Sequence, residues 1–296
     1  MDYMQKYGYV PSADGIASVI GAVAENIDGM ASEEVYKKCF SLMDLTTLRP
    51  DDTAASVMKL VDKVNGLKTT FPGYPAPASI CVYPDFASVV RDGRNDPEVH
   101  VTTVSGCFPS SQSFPEVKVL ECRMAVRAGA EEVDIVLALN AFLTGDYETA
   151  SAEIRAMRAA VDEEAAAQGR KVVLKVILET GLLVTPERIA DASFLAMEAG
   201  ADFIKTSTGK VDVNATPAAA AVMCGCIAKY YEATGRKVGF KAAGGISTAE
   251  DALGYYLIVS SILGEGWLDR KYFRFGVSRL GNSLMSAIEQ KTVKYF

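Results

Sequence analysis

Ala128-Gly129-Ala130-Glu131-Glu132-Val133-Asp134-Ile135-Val136 and Ala199-Gly200-Ala201-Asp202-Phe203-Ile204-Lys205-Thr206 decide the fold. In each, a stretch of helical periodicity stops at a glycine and passes within a few residues into a short apolar, β-rich run. The same alternation extends in both directions. From about Ser41 onward, β-rich runs begin at Ser41, Ala78, His100, Glu131, Val172, Asp202, Val238 and Tyr272. Helical segments fit between them, among them Glu116 to Ala128, Asp146 to Ala167, Pro186 to Ala199, Pro217 to Thr234 and Thr248 to Leu263. Thr185-Pro186 and Thr216-Pro217 set a capping hydroxyl before a first-turn proline, and Ser247-Thr248-Ala249-Glu250 precedes another apolar helix face.

Strands this apolar, each followed by a helix, read as parallel and buried on both faces. Eight such units in about 250 residues make one closed (β/α)8 barrel, the TIM-barrel architecture. An open doubly wound sheet would place G-x-G-x-x-G after its first strand, and none is there. Thr208-Gly209-Lys210 ends like a phosphate-binding P-loop, but Ile204 stands at the required earlier glycine and no Ser or Thr follows the lysine. Residues 1–40 fall outside the repeat. They read as a helical extension packed on a barrel domain of residues 41–296, with Ser12 or Asp14 opening one helix and Ser32 another. The extension either plugs the bottom of the barrel or packs on another subunit, which leaves a homodimer open.

A chain of 296 residues, 49% hydrophobic, can fill one large core. Its 30 basic and 37 acidic residues include no basic block, which argues against nucleic acid as a partner. The six cysteines form no C-x-x-C pair and read as reduced thiols of a cytoplasmic protein. Cys224-Gly225-Cys226 lacks the further ligands a metal would need, since His100 is the only histidine. The N-terminus has no basic-then-apolar signal, and the longest apolar run, Ala218 to Ala228, is shorter than the roughly 18 residues of a membrane span. A soluble protein acting on small molecules is expected.

Four ionisable residues break the apolar strands: Asp134, Lys175, Lys205 and Lys241, on the fourth to seventh runs. Neighbouring strands of a barrel lie about 4.8 Å apart, so inward residues of similar height must meet. One such residue alone is ordinarily a satisfied ion pair. Four on consecutive strands point to a site, because charge is costly to bury and concentrates where chemistry is done. The chemistry that fits is nucleophilic attack by an amine. An ordinary lysine is protonated at neutral pH, whereas desolvation and a neighbouring ammonium favour the neutral, nucleophilic form. Asp134 would accept and return protons. Gly244-Gly245 and Gly276 follow the last two strands, where many barrels bind phosphate, so the expected substrate is a phosphorylated aldehyde or ketone.

The segments Leu42 to Leu48, Glu132 to Val136, Leu174 to Thr180, Gly200 to Val211 and Gly239 to Gly245 resemble the 2-deoxyribose-5-phosphate aldolases, a class I aldolase family. The likeness runs from about Ser41 to Ser286. It implies reversible cleavage of 2-deoxy-D-ribose 5-phosphate to acetaldehyde and D-glyceraldehyde 3-phosphate, in deoxyribonucleotide catabolism, with no metal or organic cofactor. By position it makes Lys205 the Schiff-base lysine and Lys241 the neighbour that lowers its pKa. Asp134 becomes the proton carrier, working through water. Asp44 and Lys175 would complete the network around the substrate hydroxyls. Thr208, Gly209, Gly244, Gly245, Gly276 and Ser278 would hold the phosphate. Arg279, next to Ser278, is expected to point outward, and Cys81 to be a small buried wall residue. Tyr295 in the tail is a candidate proton relay. Another class I aldolase, or a barrel that binds sugar phosphates without catalysis, is the alternative.

Overall fold

The β-rich runs become eight parallel strands that close into a barrel in chain order, in a computed structural model describing residues 3–296. Three helices come first: α1 (Tyr3–Tyr7), α2 (Ala13–Met30) and α3 (Glu33–Ser41). Then β1 (Met43–Thr46) leads through α4 (Ala54–Thr70) to β2 (Ser79–Val82), α5 (Ala87–Gly93), β3 (His100–Val104), α6 (Pro115–Ala128) and β4 (Glu132–Val136). The chain continues through α7 (Leu139–Leu143) and α8 (Tyr147–Ala167) to β5 (Val173–Ile177), then α9 (Thr180–Leu183), α10 (Pro186–Glu198) and β6 (Phe203–Lys205). The ring ends with α11 (Pro217–Thr234), β7 (Gly239–Ala243), α12 (Ala249–Leu263), β8 (Phe273–Val277) and α13 (Leu280–Glu289). The hydroxyls of Thr185, Thr216 and Thr248 cap α10, α11 and α12 by accepting the N–H groups of Arg188, Ala219 and Asp251. Such caps contribute about 1 kcal/mol each.

Strand alternation divides the core in two. Leu45, Ile80 and Val101 face outward against Val57, Val61 and Val90 of α4 and α5. On the other side of the ring Ile135, Leu174, Val176, Ile204 and Phe240 face the remaining helices, and Phe240 stacks with Phe273 at 6.1 Å. Each fully buried Leu, Ile, Val or Phe contributes roughly 1.5–3 kcal/mol. These outward faces supply the stability that allows the inward faces to hold charge. The inward set includes Asp44, Glu132, Asp134, Lys175, Lys205, Lys241 and Arg274, all buried and joined by bonds that cross the ring. Low in the barrel the Phe203 ring fills the space beside Gly239, where a Cβ would come within 2.4 Å of it.

The extension holds three helices where one or two were expected. Tyr7 of α1 stacks on Phe194 of α10 at 4.5 Å and donates its hydroxyl to Glu198. With no buried residue of its own, α2 lies along α11 and α12, while α3 packs on α12 and α13 through the buried Cys39 and Phe40. Both α1 and α2 thus pack on the outer helical layer. Among the described residues no helix is long and apolar enough to cross a membrane.

Candidate active site

The strand register assembles the charged cluster. Asp134 pairs in register with Lys175, Ile177 with Lys205, and Lys205 with Lys241. Lys205 ends β6 and therefore stands one inward layer nearer the C-terminal mouth than Lys175. Asp134 accepts bonds from all three lysines: Lys175 at 2.8 Å, Lys205 at 2.9 Å and Lys241 at 2.8 Å. Across the ring Asp44 accepts from Lys241 at 2.5 Å, from Arg274 at 2.5 Å and from the Ser79 hydroxyl at 2.8 Å. Glu132 receives Lys175 at 2.6 Å and Arg274 at 2.7 Å, with His100 against it at the lower rim.

Charge counting singles out Lys205. Three carboxylates, Asp44, Glu132 and Asp134, face three cations, Lys175, Lys241 and Arg274, and these six cancel. A protonated Lys205 would add an uncompensated charge to a buried cluster, which costs several kcal/mol. The titration directions agree. Burial depresses the Lys205 amine, and the Lys241 ammonium adds to that effect against the pull of Asp134. Burial also disfavours the charged forms of Lys175 and Lys241, but Asp134 with Glu132 in one case, and with Asp44 in the other, raises both above the ordinary lysine value. Against the upward push of burial, Lys175, Lys205 and Lys241 hold Asp134 well below the usual carboxylate range, and Lys241 and Arg274 bring Asp44 to about 2.

Above the cluster opens a cavity of about 560 Å³, which Lys205 lines together with the loops after β1, β6, β7 and β8. Thr208, Gly209, Gly244, Gly245, Gly276 and Ser278 line it, as do Arg49, Lys210 and Arg279. Beside Lys205, its described lining residues include three cations, Arg49, Lys210 and Arg279, and no carboxylate. Gly244 and Gly245 both take φ of 83°, a left-handed conformation that favours glycine and keeps side chains away from this wall. Asp44, Asp134, Lys175 and Lys241 lie beneath, with no surface on the cavity. Asp44 and Lys175 therefore join the ion cluster without lining the cavity.

Thr208 takes a different part from the one expected. Its N–H donates to Glu179 Oε1 at 3.1 Å and its hydroxyl to Glu179 Oε2 at 2.5 Å, so both donors are engaged within the protein. Glu179 is buried, with φ of 57°, and burial raises its carboxyl pKa. Tyr295 lies away from the site: its hydroxyl donates to the Lys63 carbonyl on α4, and its ring packs on Phe71 at the end of that helix. The Asn282 side chain fixes the tail there by accepting the N–H groups of Tyr295 and Phe296. Cys81 is a fully buried wall residue beside Leu48 and Val104. Arg279 is exposed, as expected, yet stands on the cavity wall.

Glu132, Arg274, Glu179 and Lys210 were not singled out from sequence. Glu132 lies two residues before Asp134 on the same strand face, and Arg274 alternates with Phe273 and Phe275, so a period of two carried a signal for both.

A family model described as DeoC/LacD family aldolase matches residues 39–257. A Caenorhabditis elegans protein provisionally named deoxyribose-phosphate aldolase is 39% identical over 267 residues, covering 90% of this chain and 85% of that one. The fold is shared with a provisionally named deoxyribose-phosphate aldolase of Toxoplasma gondii, at TM-score 0.72 and 21% identity over 87% of this chain and 95% of that one. It is shared too with the tetrameric deoxyribose phosphate aldolase of Aeropyrum pernix, at TM-score 0.65 and 24% identity over 93% and 98% of the two chains. Since the family match runs from α3 into α12 and takes in the whole lysine cluster, the chain belongs to the DeoC/LacD family of aldolases.

Proposed function

We propose that the protein is a class I aldolase that reversibly cleaves 2-deoxy-D-ribose 5-phosphate to acetaldehyde and D-glyceraldehyde 3-phosphate through a Schiff base on Lys205. One observation carries this reading. Lys205 is the buried amine that the surrounding ion pairs leave without a compensating charge and whose pKa burial lowers, and it opens onto a cavity whose other ionisable lining residues are all cations. A neutral amine supplies the nucleophile, and the cations suit a phosphate. The substrate comes from the relatives, which carry the deoxyribose-phosphate aldolase name.

In this mechanism the Lys205 lone pair adds to C1 of the open-chain sugar, and loss of water gives an iminium. The two-carbon product fixes the scissile bond as C2–C3, β to the iminium carbon, and not C3–C4. As that bond breaks, its electrons pass into the iminium to give an enamine, while the C3 hydroxyl loses its proton and becomes the new aldehyde. Protonation of the enamine at C2 and hydrolysis release acetaldehyde and restore Lys205. Asp134, beneath Lys205 and bonded to Lys241, passes protons through a water. Its strongly depressed pKa suits relaying a proton, not storing one. Asp44 and Lys175 hold Asp134 and Lys241 in place. Lys210 and Ser278, with Gly209, Gly244, Gly245 and Gly276, receive the phosphate, while Glu179 fixes Thr208 and so the loop that carries Gly209 and Lys210. Free cysteines fit action in the cytoplasm, within deoxyribonucleotide catabolism.

The test is acetaldehyde release from 2-deoxyribose 5-phosphate, followed by its NADH-dependent reduction. Steady release is expected. Cleavage of other phosphorylated sugars alone would replace the substrate and keep the chemistry. Saturable binding of sugar phosphates with no cleavage would make the chain a binding barrel.

A further inference from the structure

The four basic residues of the cavity wall are not alike. Lys205 donates to Asp134 at 2.9 Å, Lys210 to the Leu48 carbonyl at 2.6 Å, and Arg49 grips Asp51 with two bonds of 2.8 and 2.7 Å. The Arg279 side chain makes no hydrogen bond or ion pair among the described residues and stands exposed on the wall beside Gly276 and Ser278. It also occupies a position that local structure disfavours. Arg279 is the N-cap residue of α13, and no side chain caps that helix. Ser, Thr, Asp or Asn there would accept a free N–H group. Arginine has only donors, and its charge sits at the positive end of the helix dipole. Broken local preferences of this kind concentrate at functional sites.

Resting on the reading that the cavity takes a phosphorylated sugar, we propose that Arg279 is a specificity-determining residue that engages the substrate phosphate and sets the preference for phosphorylated over unphosphorylated sugars. The planar guanidinium meets two phosphate oxygens with two parallel N–H bonds, a fixed fork geometry that the point charge of a lysine ammonium does not offer. Bound phosphate also turns the unfavourable charge at the start of α13 into a favourable one.

The experiment compares wild type, R279S and R279K for kcat/KM on 2-deoxyribose 5-phosphate and on 2-deoxyribose, and for direct binding of inorganic phosphate by calorimetry. R279S is expected to lower the ratio of the two kcat/KM values about tenfold and to weaken phosphate by a similar factor, the lower end for a charge-assisted contact. R279K should fall between. Because serine can cap α13, the unfolding temperature of R279S without phosphate should stay level or rise, an outcome that a structural role for Arg279 would reverse. If wild type cleaves the phosphorylated sugar while R279S changes neither the ratio nor phosphate affinity, the role of Arg279 is overturned and the assigned reaction stands. If wild type cleaves neither sugar, both are overturned.

Discussion

Two arginines five residues apart in the chain show how differently the two halves of the barrel treat charge. In the lower half Arg274 is buried between Asp44 and Glu132, at 2.5 and 2.7 Å, with no route to solvent. In the upper half Arg279 stands exposed on the cavity wall, its side chain without a partner among the described residues. Below, each cation has its carboxylate and the sum is zero. Above, the cavity gathers cations and no carboxylate. Lys205 lies at the boundary: its nitrogen touches Asp134 of the balanced set, and its side chain opens on the unbalanced one. The difference separates buried charge that maintains a fold from charge kept available for a ligand.

The largest effect should come from breaking the lower half. R274M leaves Asp44 and Glu132 without their shared guanidinium, a loss of about 3–5 kcal/mol. Thermal unfolding should then fall by on the order of 10 °C, whereas R279S should not fall at all. Equal melting of R274M and wild type would remove the distinction between the halves. A smaller effect is expected at the boundary. K241L removes the ammonium that depresses Lys205 and also leaves Asp134 freer to stabilise a protonated Lys205, and both changes raise the Lys205 pKa. The acidic limb of kcat/KM should move to higher pH by about one to two units, with a corresponding loss of activity at neutral pH. An unmoved limb in an active K241L protein would show that Lys241 does not tune the amine.

Much of this was visible in the chain. The glycine-then-strand junctions before Glu131 and Asp202 marked the βα repeat, and the threonines before α10, α11 and α12 marked helix starts. Asp134, Lys175, Lys205 and Lys241 stood out because each is a charge within an apolar run, and barrel closure places them together with Asp44, which only the family resemblance had marked. Glu132 was less visible because it follows Glu131 and resembles the polar start of a strand. The role of Arg274 depends on the inward face of β8, which only ring closure defines. The part played by Glu179 depends on its left-handed backbone, which no periodicity announces. The tail has no period to follow, so Asn282 holding the backbone of Tyr295 and Phe296 could not be anticipated.

The most direct test of Lys205 as the neutral boundary amine is chemical trapping. Borohydride added during turnover of 2-deoxyribose 5-phosphate should reduce the iminium to a stable secondary amine, and peptide mass mapping should find it on the Lys205 peptide alone, with none in K205L. A label on Lys175, Lys210 or Lys241, or no label while acetaldehyde is being formed, would contradict the account.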